Sequence, residues 1–289
     1  MSEIQVISGY RDNEELRLSF NALAKKTFGI NFEDWYQNGY WTDRYNPHSI
    51  MLDGKIVANV SVNRTDFEWN GEVKHLIQLG TVMTYKEYRN QGLIRRIMEA
   101  IEAEYYDQVD GVYLFAGNNV LEFYPKFGLQ TIKQFEYVKD VASAVCTMEK
   151  VDMSQREKWD MIEELIRSGA RHSSFDMVDN SQLNMFYLTK YMRNDVYYNR
   201  ELGAYVVAEV EGDTVVINQV IAKSLQDLNR IAEGFGPEVR HVVLGFTPVE
   251  VTGFTVREMD QDDRTMHVLG AWWPEFEENK LMVPLLAHA

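Results

Sequence analysis

The stretch "LIQLGTVMTYKEYRNQGLIRRIMEAIEAEYY", residues 76–106, connects a strand to a helix and decides the fold of this protein. Its second half has the apolar spacing of an amphipathic helix that begins after Gly92. Helices usually begin with Ser, Thr, Asp or Asn, whose side chain caps the free backbone N–H groups. Here a glycine stands at the entry, and Arg89, Arg95 and Arg96 surround it. The sequence therefore predicts a helix whose first N–H groups are left open among positive charges.

An open helix start after a strand is a general site for anions, because the N–H groups point at the ligand and the helix dipole favours negative charge. Gly92 allows close approach to the backbone, and arginines pair with phosphates. The sequence contains neither the three-glycine pattern of dinucleotide-binding folds nor the glycine-rich Walker loop. We therefore expect a phosphate-bearing ligand of another class. The alternative is an ordinary strand-to-helix turn capped by Asn90.

Composition predicts a packed globular protein with an excess of negative charge. Hydrophobic residues make up 45% of the 289 residues, and the net charge is −15. Nucleic acids and anionic membranes are bound through Lys and Arg, so both are excluded as main partners, and a cationic or neutral substrate is favoured. The single cysteine, Cys146, provides no disulfide framework. The sequence has no signal-peptide pattern and no apolar stretch of membrane-spanning length, so we expect a cytoplasmic protein.

Turn signals divide the first half into strands that precede the helix. Asp-Gly at 53–54 and Asn-Gly at 70–71 lie between apolar runs and predict two hairpins, hence three antiparallel strands. Asp12 and Glu15 have the spacing of a capping box at the start of an earlier helix. After the glycine-led helix we expect a strand at "GVYLFA", a helix at "NNVLEFYPKFG" and a strand at "QTIKQFEYV".

The second half repeats the order strand, turn, strand, helix, strand between "AYVVAEV" and "EVRHVVLGF". A helix capped by Ser154 and Glu157 precedes this set. Further strands are expected near 253–258, 264–270 and 281–286. We therefore predict an α/β protein of two domains, residues 1–145 and 150–289, each a mixed, mostly antiparallel sheet flanked by helices.

The segment "EYRNQGLIRRIM" resembles motif A of the GCN5-related N-acetyltransferases (GNAT), a loop that holds the pyrophosphate of acetyl-CoA. The segment "NNVLEFYPKFGL" resembles the next helix of that family, which carries a tyrosine. The resemblance covers roughly residues 1–140, and the R-x-x-G-L-I-R variant is similar to the tandem-domain enhanced-intracellular-survival acetyltransferases. It implies two tandem GNAT-like domains, the second degenerate, without the third domain of that subgroup. Ile94 departs from the small residue that ends motif A.

The resemblance implies one site per chain for acetyl-CoA, as a co-substrate, and no metal. The backbone of Val82, Met83 and Thr84 would hold the pantetheine arm as an added strand does. The other implied cofactor-binding residues are Arg89, Asn90, Gln91, Gly92, Leu93, Ile94, Arg95 and Asn119, with Asn118 competing for the role of Asn119. In the second half, Ser224 and Asp227 predict a conventional cap at the matching helix, so no cofactor is expected there.

Tyr124 is implied as the general acid that protonates the departing thiolate, since a phenol is protonated at neutral pH. The alternative is a core tyrosine beside Phe123 and Phe127. The general base stays open between a water chain and four carboxylates: Glu87, Glu122, Glu68 and Asp66. The tandem subgroup uses its C-terminal carboxylate as a base, a role that the resemblance does not carry over to Ala289.

The aromatic segment "FEDWYQNGYWTDRY", residues 32–45, has two interpretations. It could form a lid that receives a cationic amine through its rings and the carboxylates of Glu33, Asp34 and Asp43. Alternatively, it packs as part of the core.

Taken with the resemblance, the sequence predicts an acetyl-CoA-dependent N-acetyltransferase that acts on a primary amine, either a small molecule or a protein. The alternatives are a catalytically silent acyl-CoA sensor or scaffold and an acyltransferase that uses another donor. The acceptor, the base and any association into a homo-oligomer are left open by the sequence.

Overall fold

The computed structural model describes residues 5–141, 147–261 and 264–289, so Cys146 lies outside the described residues. The strands are β1 (Val6–Ile7), β2 (Tyr45–Leu52), β3 (Lys55–Trp69), β4 (Glu72–Thr84), β5 (Gly111–Ala116), β6 (Gln130–Thr131), β7 (Phe135–Asp140), β8 (Met148–Lys150), β9 (Phe175–Val178), β10 (Val196–Asn199), β11 (Ala204–Glu211), β12 (Thr214–Ile221), β13 (His241–Leu244), β14 (Thr255–Glu258) and β15 (Thr265–Leu269). The helices are α1 (Glu14–Phe28), α2 (Glu33–Gln37), α3 (Leu93–Tyr105), α4 (Arg156–Ser168), α5 (Ser181–Phe186), α6 (Leu228–Ala232) and α7 (Trp273–Glu278).

The first sheet has the order β1-β2-β3-β4-β5-β15-β6, and β9 pairs with β3 outside this path. The Asp-Gly and Asn-Gly turns at 53–54 and 70–71 have positive φ at both residues, as their hairpins require, and the two predicted hairpins are confirmed. Strands β4 and β5 run parallel, and α3 makes the crossover between them.

The second sheet, of seven strands, has the order β14-β7-β13-β12-β11-β10-β8. It repeats the plan of the first sheet, because β11 and β12 are antiparallel and α6 leads from β12 to the parallel strand β13. The predicted α/β architecture of two mixed, mostly antiparallel sheets flanked by helices is therefore confirmed.

The two sheets exchange strands. From the first half of the sequence, β7 pairs with β13 and β14 of the second half. In return, β15 from the second half pairs with β5 and β6 in the first sheet. The predicted ranges 1–145 and 150–289 therefore do not each enclose one sheet.

Helices α1 and α3 cover one face of the first sheet. Phe20 and Leu23 of α1 and Ile97 and Ile101 of α3 are fully buried. They share one cluster with Ile77, Leu79, Val112 and Leu114 of β4 and β5. Burial of each such side chain contributes about 1.5–3 kcal/mol to folding, so this face anchors α3 and its N-terminus firmly beside β4.

The opposite face of the first sheet is covered by the C-terminal part of the chain. Trp273 and Phe276 of α7 are buried against Leu76 and Tyr113, which point away from α1 and α3. The chain then continues along this face through Val283 and ends in a short 3-10 turn at Leu285–Ala287. The last residues of the sequence consequently lie on β4 and β5.

Several local predictions were wrong. Asn13 caps α1 in place of Asp12, by accepting from the N–H of Leu16. Helix α4 begins after Gln155 without a side-chain cap, so Ser154 does not cap it. The predicted helix at 118–128 consists of two 3-10 turns, Asn118–Val120 and Tyr124–Phe127, because Pro125 interrupts a regular helix and Gly128 ends the second turn. Residues 281–286 form no strand, and the predicted strand at 130–138 is divided between β6 and β7.

Within the described residues, no helix has the length and apolar character needed to cross a membrane.

We expect a fragment that ends at Val141 to lack a cooperative thermal transition. Strand β5 would lose its neighbour β15, and the face under α7 would be exposed to water. Co-expression with residues 147–289 should restore the transition, measured by circular dichroism. A lone fragment that melts cooperatively near the Tm of the whole chain would contradict this expectation.

Candidate active site

A cleft of about 1110 Å³ lies where β4 and β5 separate. The two strands pair only over Leu76–Gln78 and Gly111–Tyr113. Beyond this point the cleft opens between residues 80–84 of β4 and Phe115 of β5. The backbone of β4 that faces the cleft is therefore free to pair with a ligand.

A β-bulge in β4 causes this separation. Ser61 pairs with Gly80 and Asn59 pairs with Met83, so Thr81 and Val82 together face one residue of β3. Thr81 has a φ of 45°, in the left-handed region that β-branched residues rarely adopt. Such strain persists only where the surrounding structure enforces it, and bulges of this kind accumulate at functional sites.

A buried hydrogen-bond network holds the bulge. The side-chain amide of Asn59 donates to the Thr81 carbonyl at 3.0 Å and to Ser61 Oγ at 2.9 Å. Asn59 Oδ1 accepts from Ser49 Oγ at 2.8 Å, and Tyr45 bonds Thr81 Oγ1 through its hydroxyl. Asn59, Ser49 and Ser61 are all fully buried. Because each group has a partner, the network specifies the bulged backbone conformation rather than destabilising the core.

The N-terminus of α3 opens at one end of this cleft. Gly92 is its N-cap residue, with a φ of 74°, and no side chain caps the helix. The alternative in which Asn90 caps an ordinary turn is therefore wrong. A Cβ at Gly92 would meet nothing within 4 Å, so the space in front of the helix is open. The first N–H groups of α3 are thus available to an anion.

The arginines at this end remain available to a ligand. Arg89 Nε donates to the Thr84 carbonyl at 3.2 Å, and the Arg95 guanidinium lies 5.6 Å from the centre of the Phe127 ring. In the described part of the chain, no salt bridge involves Arg89, Arg95 or Arg96. Their positive charges are not neutralised by the protein itself.

The structure places most of the predicted site residues in one wall of the cleft. Those that line it are Val82, Met83, Thr84, Arg89, Asn90, Gly92, Leu93, Ile94, Arg95, Asn119 and Tyr124. Gln91 does not line it and instead donates to the Glu87 carbonyl at 3.2 Å. Of the two competing asparagines, Asn119 lines the cleft and Asn118 does not.

Tyr124 lies in the cleft wall and is only 5% exposed. Its ring contacts Phe123 and His267, with ring centres 5.3 and 5.7 Å away. Burial raises the pKa of Tyr124 to about 12, because the charged phenolate is poorly solvated there. The hydroxyl is therefore a proton donor throughout the neutral range.

The four carboxylates considered as a base are not brought to the cleft. Glu87, Glu122, Glu68 and Asp66 are absent from its lining. Asp66 instead bridges Arg44 and His75, and Glu68 pairs with Arg171. Within the described residues, the one carboxylate side chain that lines the cleft is Glu209, which comes from the second half of the sequence.

The aromatic segment at 32–45 belongs to the core. Trp35, Trp41 and Tyr45 are 3–6% exposed and pack against one another, and none of the three lines the cleft. The acidic residues of the segment are already paired: Glu33 with Arg17, Asp34 with Lys190 and Asp43 with Arg11. These contacts favour the packing interpretation over a substrate lid.

The last residues of the sequence form the floor of the cleft. The N–H of Ala289 donates to Gln78 Oε1 at 2.8 Å, and Gln78 Nε2 donates to the Ala289 carbonyl at 3.1 Å. A Cβ at Gly80 would come within 2.5 Å of the Ala289 oxygen, so only glycine permits this approach. A glycine inside a strand is the one signal for this contact in the sequence.

His288 adds a neutral aromatic side chain to the floor. Its ring stacks on Phe115, with centres 3.9 Å apart, and its carbonyl accepts from the Tyr187 hydroxyl at 2.5 Å. Burial lowers the pKa of His288 to about 3, so the imidazole is uncharged at neutral pH. The sequence contained no pattern that connected His288 or Tyr187 to the site.

The matching helix start in the second half is closed. Helix α6 is only five residues long, and Asp227 caps it by accepting from the N–H of Asn229 at 2.9 Å. Ser224 is not the capping residue, because its hydroxyl accepts from the Gln226 side chain. The predicted capped start is present with Asp227 alone as the cap.

The family model described as an acetyltransferase (GNAT) domain matches residues 12–132. This part of the chain is similar to a GNAT domain. It contains β4, the uncapped start of α3 and Tyr124, so the family match and the cleft coincide.

Solved structures show that the GNAT fold extends over both halves. A conserved protein of unknown function from Enterococcus faecalis, described as a probable N-acyltransferase, is similar with a TM-score of 0.62 at 17% identity, over 92% of this chain and 72% of that chain. A GCN5-related N-acetyltransferase from Kribbella flavida is similar with a TM-score of 0.54 at 14% identity, over 92% of this chain and 70% of that chain. Eis1 from Mycobacterium abscessus is similar with a TM-score of 0.52 at 12% identity, over 92% of this chain and 73% of that chain. No curated protein sequence matches the chain. The likeness therefore shows a fold that this chain shares with these proteins over both of its halves.

Among the described residues, no group of three or more His, Cys, Asp or Glu side chains is arranged to hold a metal ion.

A second, smaller cavity of about 320 Å³ lies behind the last residues, between α4, α5 and β12. Asp176 of β9 is among the residues that line this cavity. Burial raises the pKa of Asp176 to about 7, although the charge of Arg171 opposes this. Asp176 is therefore neutral in the folded protein below neutral pH, and above it the carboxylate is a poorly solvated, partly buried charge.

We expect Asp176→Asn to stabilise the protein at alkaline pH. The pKa of Asp176 is higher in the folded than in the unfolded chain, so its protonated form favours folding and stability falls as pH rises through about 7. The gain in Tm should be larger at about pH 9 than at about pH 5. Asp179→Asn is the control, because Asp179 lines the same cavity and is exposed. Equal gains in Tm for Asp176→Asn at both pH values would contradict a raised pKa of Asp176.

Proposed function

We propose that this protein transfers an acetyl group from acetyl-CoA to a primary amine. The observation that carries the proposal is the uncapped start of α3, which opens on the cleft where the bulged strand β4 separates from β5. One site thus offers open backbone groups for a phosphate and a free strand edge for an extended arm. A ligand that combines a pyrophosphate with an amide-containing arm matches both features.

The pyrophosphate would lie against the N–H groups of residues 92–95, where the helix dipole and the positive charges of Arg89 and Arg95 favour negative charge. The pantetheine arm would pair with the free edge of Val82–Thr84 in the manner of an added strand. A ligand bound in this way would extend from the helix start along β4 into the cleft that Tyr124 and Ala289 also line.

The reaction requires a neutral amine, a polarised carbonyl and a protonated leaving group. The amine nitrogen attacks the thioester carbon, and a backbone N–H of β4 stabilises the oxyanion that forms. The C–N bond forms in this attack, the C–S bond then breaks as the carbonyl forms again, and the Tyr124 hydroxyl gives its proton to the departing thiolate. The proton lost by the amine passes to water, and water returns a proton to the Tyr124 phenolate, so the enzyme is regenerated and the charges balance.

We expect Gly92→Asp to weaken the affinity for acetyl-CoA sharply, by about tenfold or more. The change places a negative charge in the open space where the phosphate would lie. Titration calorimetry measures both the affinity and the stoichiometry, expected to be one per chain.

Gly54→Asp is the matched control for this variant. Gly54 has a φ of 76° against 74° at Gly92, and a Cβ there also meets open space, but Gly54 lies in the β2–β3 turn and does not line the cleft. Both variants carry the same strain and charge. An equal loss of affinity in both, or no loss in Gly92→Asp, would remove the helix start from cofactor binding.

We expect Tyr124→Phe to lower kcat by about 10²–10⁴, the range typical of a general acid, with little change in acetyl-CoA affinity. The variant removes one hydroxyl, whereas the phosphate and arm contacts lie on other residues. Tyr106→Phe is the control, since burial also raises the pKa of Tyr106 to about 12 and this residue does not line the cleft. Steady-state rates of thiol release measure the effect, and full turnover by Tyr124→Phe would exclude this role.

The pH profile provides an independent check on Tyr124. An acid must be protonated to act, so its contribution is lost as pH rises through its pKa of about 12. We therefore expect the turnover rate to decline only well above pH 10, since about 10 is the ordinary pKa of a phenol.

A further inference from the structure

Glu209, near the end of β11, lies in the wall that the second half of the sequence contributes to the cleft. Its carboxylate accepts a hydrogen bond from Asn218 Nδ2 at 3.0 Å. No salt bridge of the described residues involves Glu209. The cleft wall therefore carries an oriented carboxylate that has no salt-bridge partner among the described residues.

The side-chain amide of Asn218 orients this carboxylate. It is 1% exposed and also lines the cleft, and its Oδ1 atom is buried without a hydrogen-bond partner. Rotation of the amide would turn Oδ1 towards the carboxylate, where two acceptors would repel each other. The Oδ1 acceptor of Asn218 thus stays unsatisfied, which costs stability, while its Nδ2 group donates to Glu209.

The position of Asn218 relates Glu209 to the floor of the cleft. A Cβ at Gly245 would lie 2.9 Å from both Asn218 Oδ1 and Leu285 Cδ1, so Asn218 lies beside the segment that ends at Ala289. Glu209 thus belongs to the wall that the second half of the sequence contributes, as does Arg264, whereas Arg89 and Arg95 lie at the start of α3. An acceptor that reached the thioester from this side would pass Glu209.

A second carboxylate strengthens the negative charge at this place. Asp195 precedes β10, beside Glu209: its carbonyl accepts from the N–H of Ala208 at 2.9 Å. Burial raises the pKa of Asp195, Lys150 lowers it, and the charge of Glu209 raises it further. Two nearby carboxylates repel each other, and a bound cation relieves that repulsion.

We propose that Glu209, held by Asn218, binds a second ammonium group of the acceptor, so that the acceptor is a diamine or a longer polyamine rather than a monoamine or an amino acid. This inference rests on the proposed acyl transfer to an amine. One nitrogen reacts as the neutral amine, and the other remains charged on Glu209. The carboxylate acts on affinity for the acceptor and not on the bond-breaking step.

The test compares three four-carbon amines: putrescine, with a second ammonium, n-butylamine, with none, and γ-aminobutyrate, with a carboxylate. Acetylation is followed by thiol release, and binding to the complex with CoA is followed by calorimetry, which does not depend on turnover. We expect putrescine to have the lowest KM and Kd of the three. Glu209→Gln should raise both by about tenfold for putrescine and leave n-butylamine within about twofold.

Two further variants sharpen the comparison. Glu209→Lys should reverse the preference in favour of γ-aminobutyrate. Glu211→Gln is the matched control, since Glu211 is exposed on the same strand and does not line the cleft, and it should leave all three amines unchanged.

The outcomes separate this inference from the proposed function. Turnover with no preference for putrescine, or a preference that survives Glu209→Gln, would overturn the inference while acyl transfer stands. A Glu209-dependent preference in calorimetry without any acetylation would support the binding site and count against acetyl transfer. Tighter binding of γ-aminobutyrate than putrescine by the unmodified protein would also overturn it.

Discussion

The exchange of β7 and β15 between the two sheets is the constraint on which the rest of the structure depends. A parallel pair such as β4 and β5 leaves the outer edge of β5 open, and here that edge is closed by β15 from the other half of the sequence. The outer edge of β13 is closed in the same way, by β7 from the first half of the sequence. Each half therefore completes the sheet of the other, and their relative position is set by backbone hydrogen bonds as well as by packing of apolar faces.

This arrangement explains why the cleft has walls from both halves. Strand β15 brings Arg264, which precedes it, to the cleft, and the chain after α7 returns over β4 and β5 to place His288 and Ala289 on the floor. The second sheet adds Glu209 and Asn218 to the lining. The wall at the start of α3 is thus built largely from one continuous stretch of sequence, whereas the rest of the lining is assembled from distant segments.

The cleft lining carries charges of both signs: Arg89 and Arg95 from the first half of the sequence, and Glu209 and Arg264 from the second half. Within the described residues, no salt bridge involves Arg89, Arg95 or Glu209. Under the proposed function, the arginines at the helix start would attract a negatively charged donor, and Glu209 would attract a positively charged acceptor. The excess of negative charge in the whole sequence favoured a cationic substrate only in general terms, and Glu209 is the one carboxylate side chain that lines the cleft within the described residues.

The sequence by itself determined the local features: the hairpins at Asp53-Gly54 and Asn70-Gly71, the amphipathic helix α3 and its uncapped start at Gly92. These depend on the backbone preferences and spacing of neighbouring residues, so a short window contains the necessary information. Only the tertiary structure decided the strand exchange, the burial of the aromatic segment at 32–45 and the acceptor wall with Glu209. Those depend on contacts such as that between Gln78 and Ala289, which are 211 residues apart, and no local pattern encodes which distant groups will meet.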